Sequence, residues 1–226
     1  MIEEIVKEVH PNRISFLGGL CTVVGVPLLS SPATDIYGAG LVVLGQGIDC
    51  IDGYLARRYD LRTKEGARLD PLLDKVKNGA IGTYIIAKEI YQNNLLLPAS
   101  VAANFALDYI SQRARGPILA QLKEATRAVV FPYSCERDFE EKSSNRANKY
   151  GKWKAGLQNF ASGFYFIEEL IIHHSGPIDP DTRKYFNRFL AGVFASAVVL
   201  GGIGILKRLR LKKKDELVID STKQSS

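Results

Sequence analysis

Four aspartates set the chemical problem in this sequence. Asp49 and Asp52 are three residues apart and Asp70 and Asp74 are four apart, each pair within a largely apolar stretch. On helices, those spacings place each pair on one face, so two acidic edges can meet across one cleft. Carboxylates gathered in a low-dielectric site repel one another and hold protons unless a cation compensates them. An all-oxygen ligand set suits Mg2+ or Mn2+, and Mg2+ commonly combines a few carboxylates with substrate phosphates. Gly45, Asp49, Gly53 and Ala56 also lie along roughly one stripe, which would let a ligand approach the helix backbone between the acids. The pattern reads as a metal-diphosphate site.

The full spacing is D-x-x-D-G-x-x-A-R-x8-G-x3-D-x3-D, filled by Asp49, Asp52, Gly53, Ala56, Arg57, Gly66, Asp70 and Asp74. In these residues the sequence resembles the CDP-alcohol phosphotransferase (CDP-alcohol phosphatidyltransferase) family, most densely from about Pro11 to about Ile86. The resemblance implies an enzyme of phospholipid biosynthesis. A CDP-linked alcohol binds metal through its diphosphate, an acceptor hydroxyl attacks the phosphorus bearing the lipid, and CMP leaves. It further implies two Mg2+ or Mn2+ ions held by Asp49, Asp52, Asp70 and Asp74, with Asp74 also the catalytic base. CDP would be bound by Asp49, Asp52, Gly53, Ala56, Arg57, Gly66 and Asp70, the small residues leaving room for cytidine and diphosphate and Arg57 positioning nucleotide or phosphate. A homodimer is implied in the same way.

Finer resemblances bear on the acceptor. Gly151, Lys152, Lys154 and Gln158 resemble the G-K-x-K-x-x-x-Q element of family members that make phosphatidylglycerophosphate. This favours glycerol 3-phosphate as acceptor, with CDP-diacylglycerol or an archaeal CDP-ether lipid as donor. Glycerophosphate-using members lead one to expect an arginine near Gly18, which this chain lacks. Tyr109 to Arg115 resembles the S-Y-x-x-A-R stretch of inositol-phosphate members, the nearest alternative, and serine- and choline-type acceptors are further ones. A phosphorylated acceptor needs its own cations, for which Arg113, Arg115, Lys149, Lys152 and Lys154 are the candidates. From another class, the acids could form a divalent-cation transport path. A transporter, however, carries polar groups through the bilayer midplane, whereas the middles of the first, fourth and sixth apolar segments are uncharged.

The elements that must position these residues are long apolar helices. The chain has 226 residues, 46% of them hydrophobic, with a mean hydropathy of −0.03, a composition that alone would pass for a soluble domain. Yet Ile14 to Thr34, Ile90 to Leu107 and Phe189 to Leu206 contain no Asp, Glu, Lys or Arg, and each is long enough to cross or nearly cross a bilayer core. The expectation is an all-α integral membrane bundle of six transmembrane helices, near 14–29, 35–57, 68–90, 95–119, 155–172 and 185–206. A short amphipathic interfacial helix over residues 1–12 precedes the catalytic domain at 13–206, within which about 120–154 form a cytoplasmic segment. Residues 207–226 form a basic, disordered tail.

Residues 1–12 do not read as a signal peptide, since Glu3, Glu4 and Glu8 stand where a basic region belongs. The net charge of +6 is concentrated in loops and tail beside apolar segments, which points to anionic lipid headgroups and phosphorylated substrates and not to nucleic acid. Cys21 and Cys50 read as packing residues, Cys135 as a loop residue, with no disulfide framework. His173-His174, followed by Gly176-Pro177, read as loop residues. The small residues Gly192, Ala195, Ser196, Gly201, Gly202 and Gly204 suggest close packing against a second subunit. Six spans place both termini, the Arg57 to Arg68 loop and the active site on the cytoplasmic side of the cell or inner membrane.

Overall fold

Seven helices make up the described residues of the computed structural model: α1 (Pro11–Leu28), α2 (Asp35–Arg58), α3 (Gly66–Tyr91), α4 (Leu96–Arg113), α5 (Ile118–Val130), α6 (Lys149–Ser175) and α7 (Pro180–Gln224). The structure describes residues 9–61, 63, 66–113, 117–132 and 149–224, with the backbone alone at 49–50, 67–68, 118, 149, 208–209 and 211–224. The all-α expectation holds. Most of the expected interfacial helix, Cys135, Arg115 and much of the segment between α5 and α6 lie outside the described residues.

Local chemistry explains most boundaries. Pro11 begins α1, where a missing N–H costs nothing, and the His10 ring accepts a bond from the Asn12 N–H at 3.2 Å. The fourth helix ends at Arg113 and not near Leu119, and a separate helix follows Pro117, which cannot continue a helix and disfavours helical geometry in the residue before it. His173 and His174 are not in a loop. They occupy the last turn of α6, where each ring bonds one oxygen of buried Asp35, at 2.8 Å from His173 Nδ1 and 3.2 Å from His174 Nε2. The stretch expected to be disordered after Lys207 continues α7 through Gln224, consistent with its content of strong helix formers, Leu, Lys and Glu.

The helix α1 is the axis of the site end. It packs on α2 and α3, α5 lies across α1 and α3, and α7 packs against α4 and α6. Contact between α1 and α2 is backbone to backbone. A Cβ on Gly25 would sit 2.7 Å from the Gly38 carbonyl, and one on Gly45 would sit 2.2 Å from Thr22 Oγ1. Glycines at such crossings allow the close approach typical of helices packed without a hydrophobic driving force. Gly45 is therefore filled by α1 and is not part of an open stripe for ligand. At Gly18 a Cβ would already be 2.9 Å from Ile48 Cγ2, so the helix contact leaves no space for an arginine there.

Polar and apolar side chains share the interior. The interior holds Lys77, Glu89, Asn104, Asp108, Gln158, Glu168 and Glu169 beside an apolar core of Val26, Leu29, Ile81, Ile85, Leu97, Tyr165 and Leu190. Large apolar side chains such as Phe16, Leu17, Leu20, Val43, Leu44, Phe189 and Val199 face outward. Among the described residues one helical segment, Pro180–Lys207, contains an 18-residue window with a mean hydropathy of 2.3, long and apolar enough to cross a membrane.

Candidate active site

Asp52 lies on the last turns of α2, nearly buried, beside Ser15 of α1. Asp70 and Asp74 lie on the first turns of α3, both accessible, with Asp74 56% exposed. Asp52 and Asp74 both exert their charge on Asp70, so carboxylates from two helices share one field across the start of α1. The backbone of Asp49 continues the acidic face of α2, and its side chain lies outside the described residues. Among the described residues no group of three or more His, Cys, Asp and Glu closes into a metal-holding cluster. The donor set still suits an oxygen-seeking divalent ion: carboxylates alone, converging from two helices, with mutual repulsion that a cation relieves.

The glycines of the motif divide into two kinds. A Cβ on Gly66 would lie 2.6 Å from Asn12 Oδ1 and 2.7 Å from Thr63 Oγ1, so this glycine serves a protein contact and does not open space for cytidine. Thr63 Oγ1 accepts from the Gly66 N–H at 3.0 Å and caps α3, while Asn12 Nδ2 reaches Thr63 Oγ1 at 3.2 Å and the Ala128 carbonyl at 3.1 Å. Arg13 reaches the carbonyls of Val129 and Val130 at the end of α5. These bonds fix the starts of α1 and α3 and the end of α5 together, which sets the position of Asp70. Gly53 is different. Its missing Cβ would meet only the Arg57 guanidinium, at 3.5 Å, so the surface beside Asp52 is covered only by the end of that side chain. Ala56 is half-buried on the same helix.

Behind Asp74 opens a cavity of about 230 Å³ between α3, α4, α6 and α7. Asp74, Lys75, Asp108, Lys152, Lys154 and Gln158 line it. The carboxylate of Asp108, buried in α4, organises this wall. One oxygen receives the ammonium groups of Lys75 and Lys154, the latter at 2.5 Å, and the other receives Gln158 Nε2 at 3.4 Å. The stem of Lys154 crosses α7 at Gly201, where a Cβ would be 3.0 Å from Lys154 Cδ. Lys77, 2% exposed, lies 3.3 Å from Asp74 and places a buried cation under that carboxylate.

Of the acceptor-site candidates, Lys152 and Lys154 line the cavity, together with Gly151 and Gln158 of the same element. Arg113 is exposed at the end of α4 and does not line it. Arg115, and the side chain of Lys149, lie outside the described residues. Sequence reasoning missed Ser15, Lys75, Lys77 and Asp108 as site residues. Asp108, a carboxylate in an apolar span, carried a usable signal; the buried state of Lys77 carried none. Gly201 and Gly204, read as subunit-packing residues, instead line the cavity.

A family model described as CDP-alcohol phosphatidyltransferase matches residues 8–201. A protein of Rickettsia bellii named CDP-diacylglycerol--glycerol-3-phosphate 3-phosphatidyltransferase is 40% identical over 85 residues, 37% of this chain and 47% of that protein. A protein of Rickettsia typhi with the same name is 40% identical over 52 residues, 23% of this chain and 29% of that protein. The chain thus spans about half the length, or less, of these curated relatives. No solved structure matches it.

Proposed function

The chain belongs to the CDP-alcohol phosphatidyltransferase family, and from that premise we propose that it is an integral-membrane transferase that moves the phosphatidyl group of CDP-diacylglycerol to glycerol 3-phosphate. The observation that carries the acceptor assignment is the shared cavity, in which Asp74 faces the Lys152, Lys154 and Gln158 wall. In the reaction the acceptor hydroxyl oxygen forms a bond to the lipid-bearing phosphorus, the bond from that phosphorus to the CMP oxygen breaks, and the hydroxyl proton passes to the Asp74 carboxylate. Lys152 and the Lys75–Lys154 pair on Asp108 hold the acceptor phosphate with its hydroxyl toward Asp74. Lys77 places a buried cation against the Asp74 carboxylate. Arg57, over Gly53, steadies the nucleotide phosphate. Two Mg2+ or Mn2+ ions held by Asp49, Asp52, Asp70 and Asp74 would supply the charge neutralisation that phosphoryl transfer requires.

Helices α1, α2, α3, α4, α6 and α7 are the six spans of this reading. What supports it is the exposure of many Phe, Leu and Val side chains around an interior that holds charged residues, an arrangement that suits lipid. The basic Arg57 to Arg68 loop and the tail after Lys207 put the active site and both termini on the cytoplasmic side. Gly192 and Gly202, whose Cβ positions meet open space, with exposed Ala195 and Ser196, suit the subunit contact of a homodimer along α7.

The test is CMP release by the purified protein with Mg2+ and CDP-diacylglycerol, with glycerol 3-phosphate, inositol phosphate, serine or no acceptor added in parallel. Release is expected with glycerol 3-phosphate and to be lost in Asp70→Asn. Release driven by another acceptor overturns the acceptor assignment, and release unaffected by Asp70→Asn overturns the site.

A further inference from the structure

A second polar cavity lies at the opposite end of the bundle. Asp74 and Glu89 are fifteen residues apart on α3, about 22 Å along the axis. The cavity, of about 710 Å³, lies between the α3–α4 turn and the start of α7. Gln92, Asn94, Arg183, Lys184, Asn187 and Arg188 line it.

Behind it is a buried acidic group, Glu89, Glu168 and Glu169, which shares two cations, Lys88 and Arg183. Glu89 accepts from Tyr165 at 3.0 Å and Asn187 at 3.0 Å, and from Asn94 at 2.5 Å. Glu169 pairs with Lys88 and with Arg183 at 3.0 Å, and Arg183 Nε lies 3.6 Å from Glu168. Asp179 is occupied in capping α7 through Thr182. Lys184 and Arg188 are a different case. They lie one turn apart on α7, exposed and lining the cavity, and neither has an ion pair or hydrogen bond among the described residues. Like charges at that spacing repel, and a bridging anion relieves them.

Asn187 supplies the second, independent observation. It is 7% exposed and lines the cavity; its Nδ2 is committed to Glu89, and its Oδ1 has no hydrogen-bond partner. The bond to Glu89 fixes the amide orientation, so the free oxygen asks for a ligand hydroxyl or N–H. In the proposed topology these cations stand on the face opposite the basic loop and tail, where positive charge is not needed for orientation.

We propose that Lys184 and Arg188, with Asn187, form a binding site for a phosphate-bearing, hydroxylated headgroup on the face of the bundle remote from the catalytic aspartates. Two cations one turn apart hold the phosphate and the Asn187 Oδ1 accepts from a headgroup hydroxyl. The site requires neither the catalytic aspartates nor a particular acceptor, so it stands or falls separately from the activity.

The test is binding to the full-length protein in neutral detergent, read by calorimetry and by the shift in melting temperature. The probes are a short-chain phospholipid with a glycerol headgroup, the corresponding choline-headgroup lipid, glycerol 3-phosphate and inorganic phosphate. The expected result is that the glycerol-headgroup lipid binds, that Lys184→Ala/Arg188→Ala weakens it at least tenfold, and that Asp70→Asn leaves it unchanged. Both substituted positions are exposed, so the double variant keeps its fold, checked by an unchanged melting temperature without ligand. Glycerol 3-phosphate binding as tightly as the lipid, with the same loss in the double variant, supports the site and assigns it a soluble source. Wild type and double variant binding all probes equally overturns it, as does loss of binding in Asp70→Asn alone.

Discussion

Removing the charge of Asp108 tests the wall of the catalytic cavity. In Asp108→Asn the side chain keeps its shape, but two ammonium groups that met on one buried oxygen lose their counter-charge. Lys154 is itself buried and Lys75 partly so, and neither reaches another carboxylate in an ion pair among the described residues. Breaking a buried pair by removing one partner costs about 3–5 kcal/mol, because the remaining charge stays desolvated. For a chain of this size that lowers the melting temperature on the order of 10 °C. The lysines that hold the acceptor phosphate also lose their anchor, so acceptor KM rises while donor KM is unchanged. Thermal unfolding in detergent reads the first effect and initial-rate CMP release at varied acceptor the second. The double variant Asp108→Asn/Lys75→Met removes one cation with the anion and should regain at least half of the lost stability. If Asp108→Asn melts within about 2 °C of wild type and acceptor KM is unchanged, the reasoning is wrong.

The two motif glycines should part company. Gly66→Ala forces a Cβ against Asn12 and Thr63 and should cost about 1–3 kcal/mol of stability in chemical or thermal unfolding. Gly53→Ala meets only the end of Arg57 within a helix, so stability should hold or rise by about 0.5–1 kcal/mol while donor KM increases. The reverse order would contradict the assignment of Gly66 to packing. For pH, burial and the neighbouring Arg13 charge hold the His10 imidazole below its ordinary value. The unfolded chain therefore binds a proton before the folded one as pH falls, so this contribution is complete above about pH 6.5 and is lost below it. Melting temperature should decline as pH is lowered through that region and decline less in His10→Gln, and identical pH profiles would exclude the effect.

Sequence alone determined the chemistry class and the helical frame. Eight residues at fixed spacing specify acidic faces on two helices, because helical periodicity makes spacing along the chain equivalent to placement on a face. The first three helices follow their expected limits closely, since charge-free apolar runs, Pro11 and the polar turns leave little choice of boundary. Tertiary structure decided what each face meets. Gly45 and Gly66 look like the open Gly53 in the sequence, yet one is filled by Thr22 and the other by Asn12 and Thr63, because only the crossing of α1 determines which glycine is covered. His173 and His174 read as a loop by periodicity, and a carboxylate 138 residues away along the chain holds them in the last turn of α6. Asp108 announced itself as an ionisable group in an apolar span, but its partners Lys75 and Lys154 come from α3 and α6. A one-dimensional pattern fixes which residues share a helix face, while the partner of that face follows from long-range packing that no local spacing encodes.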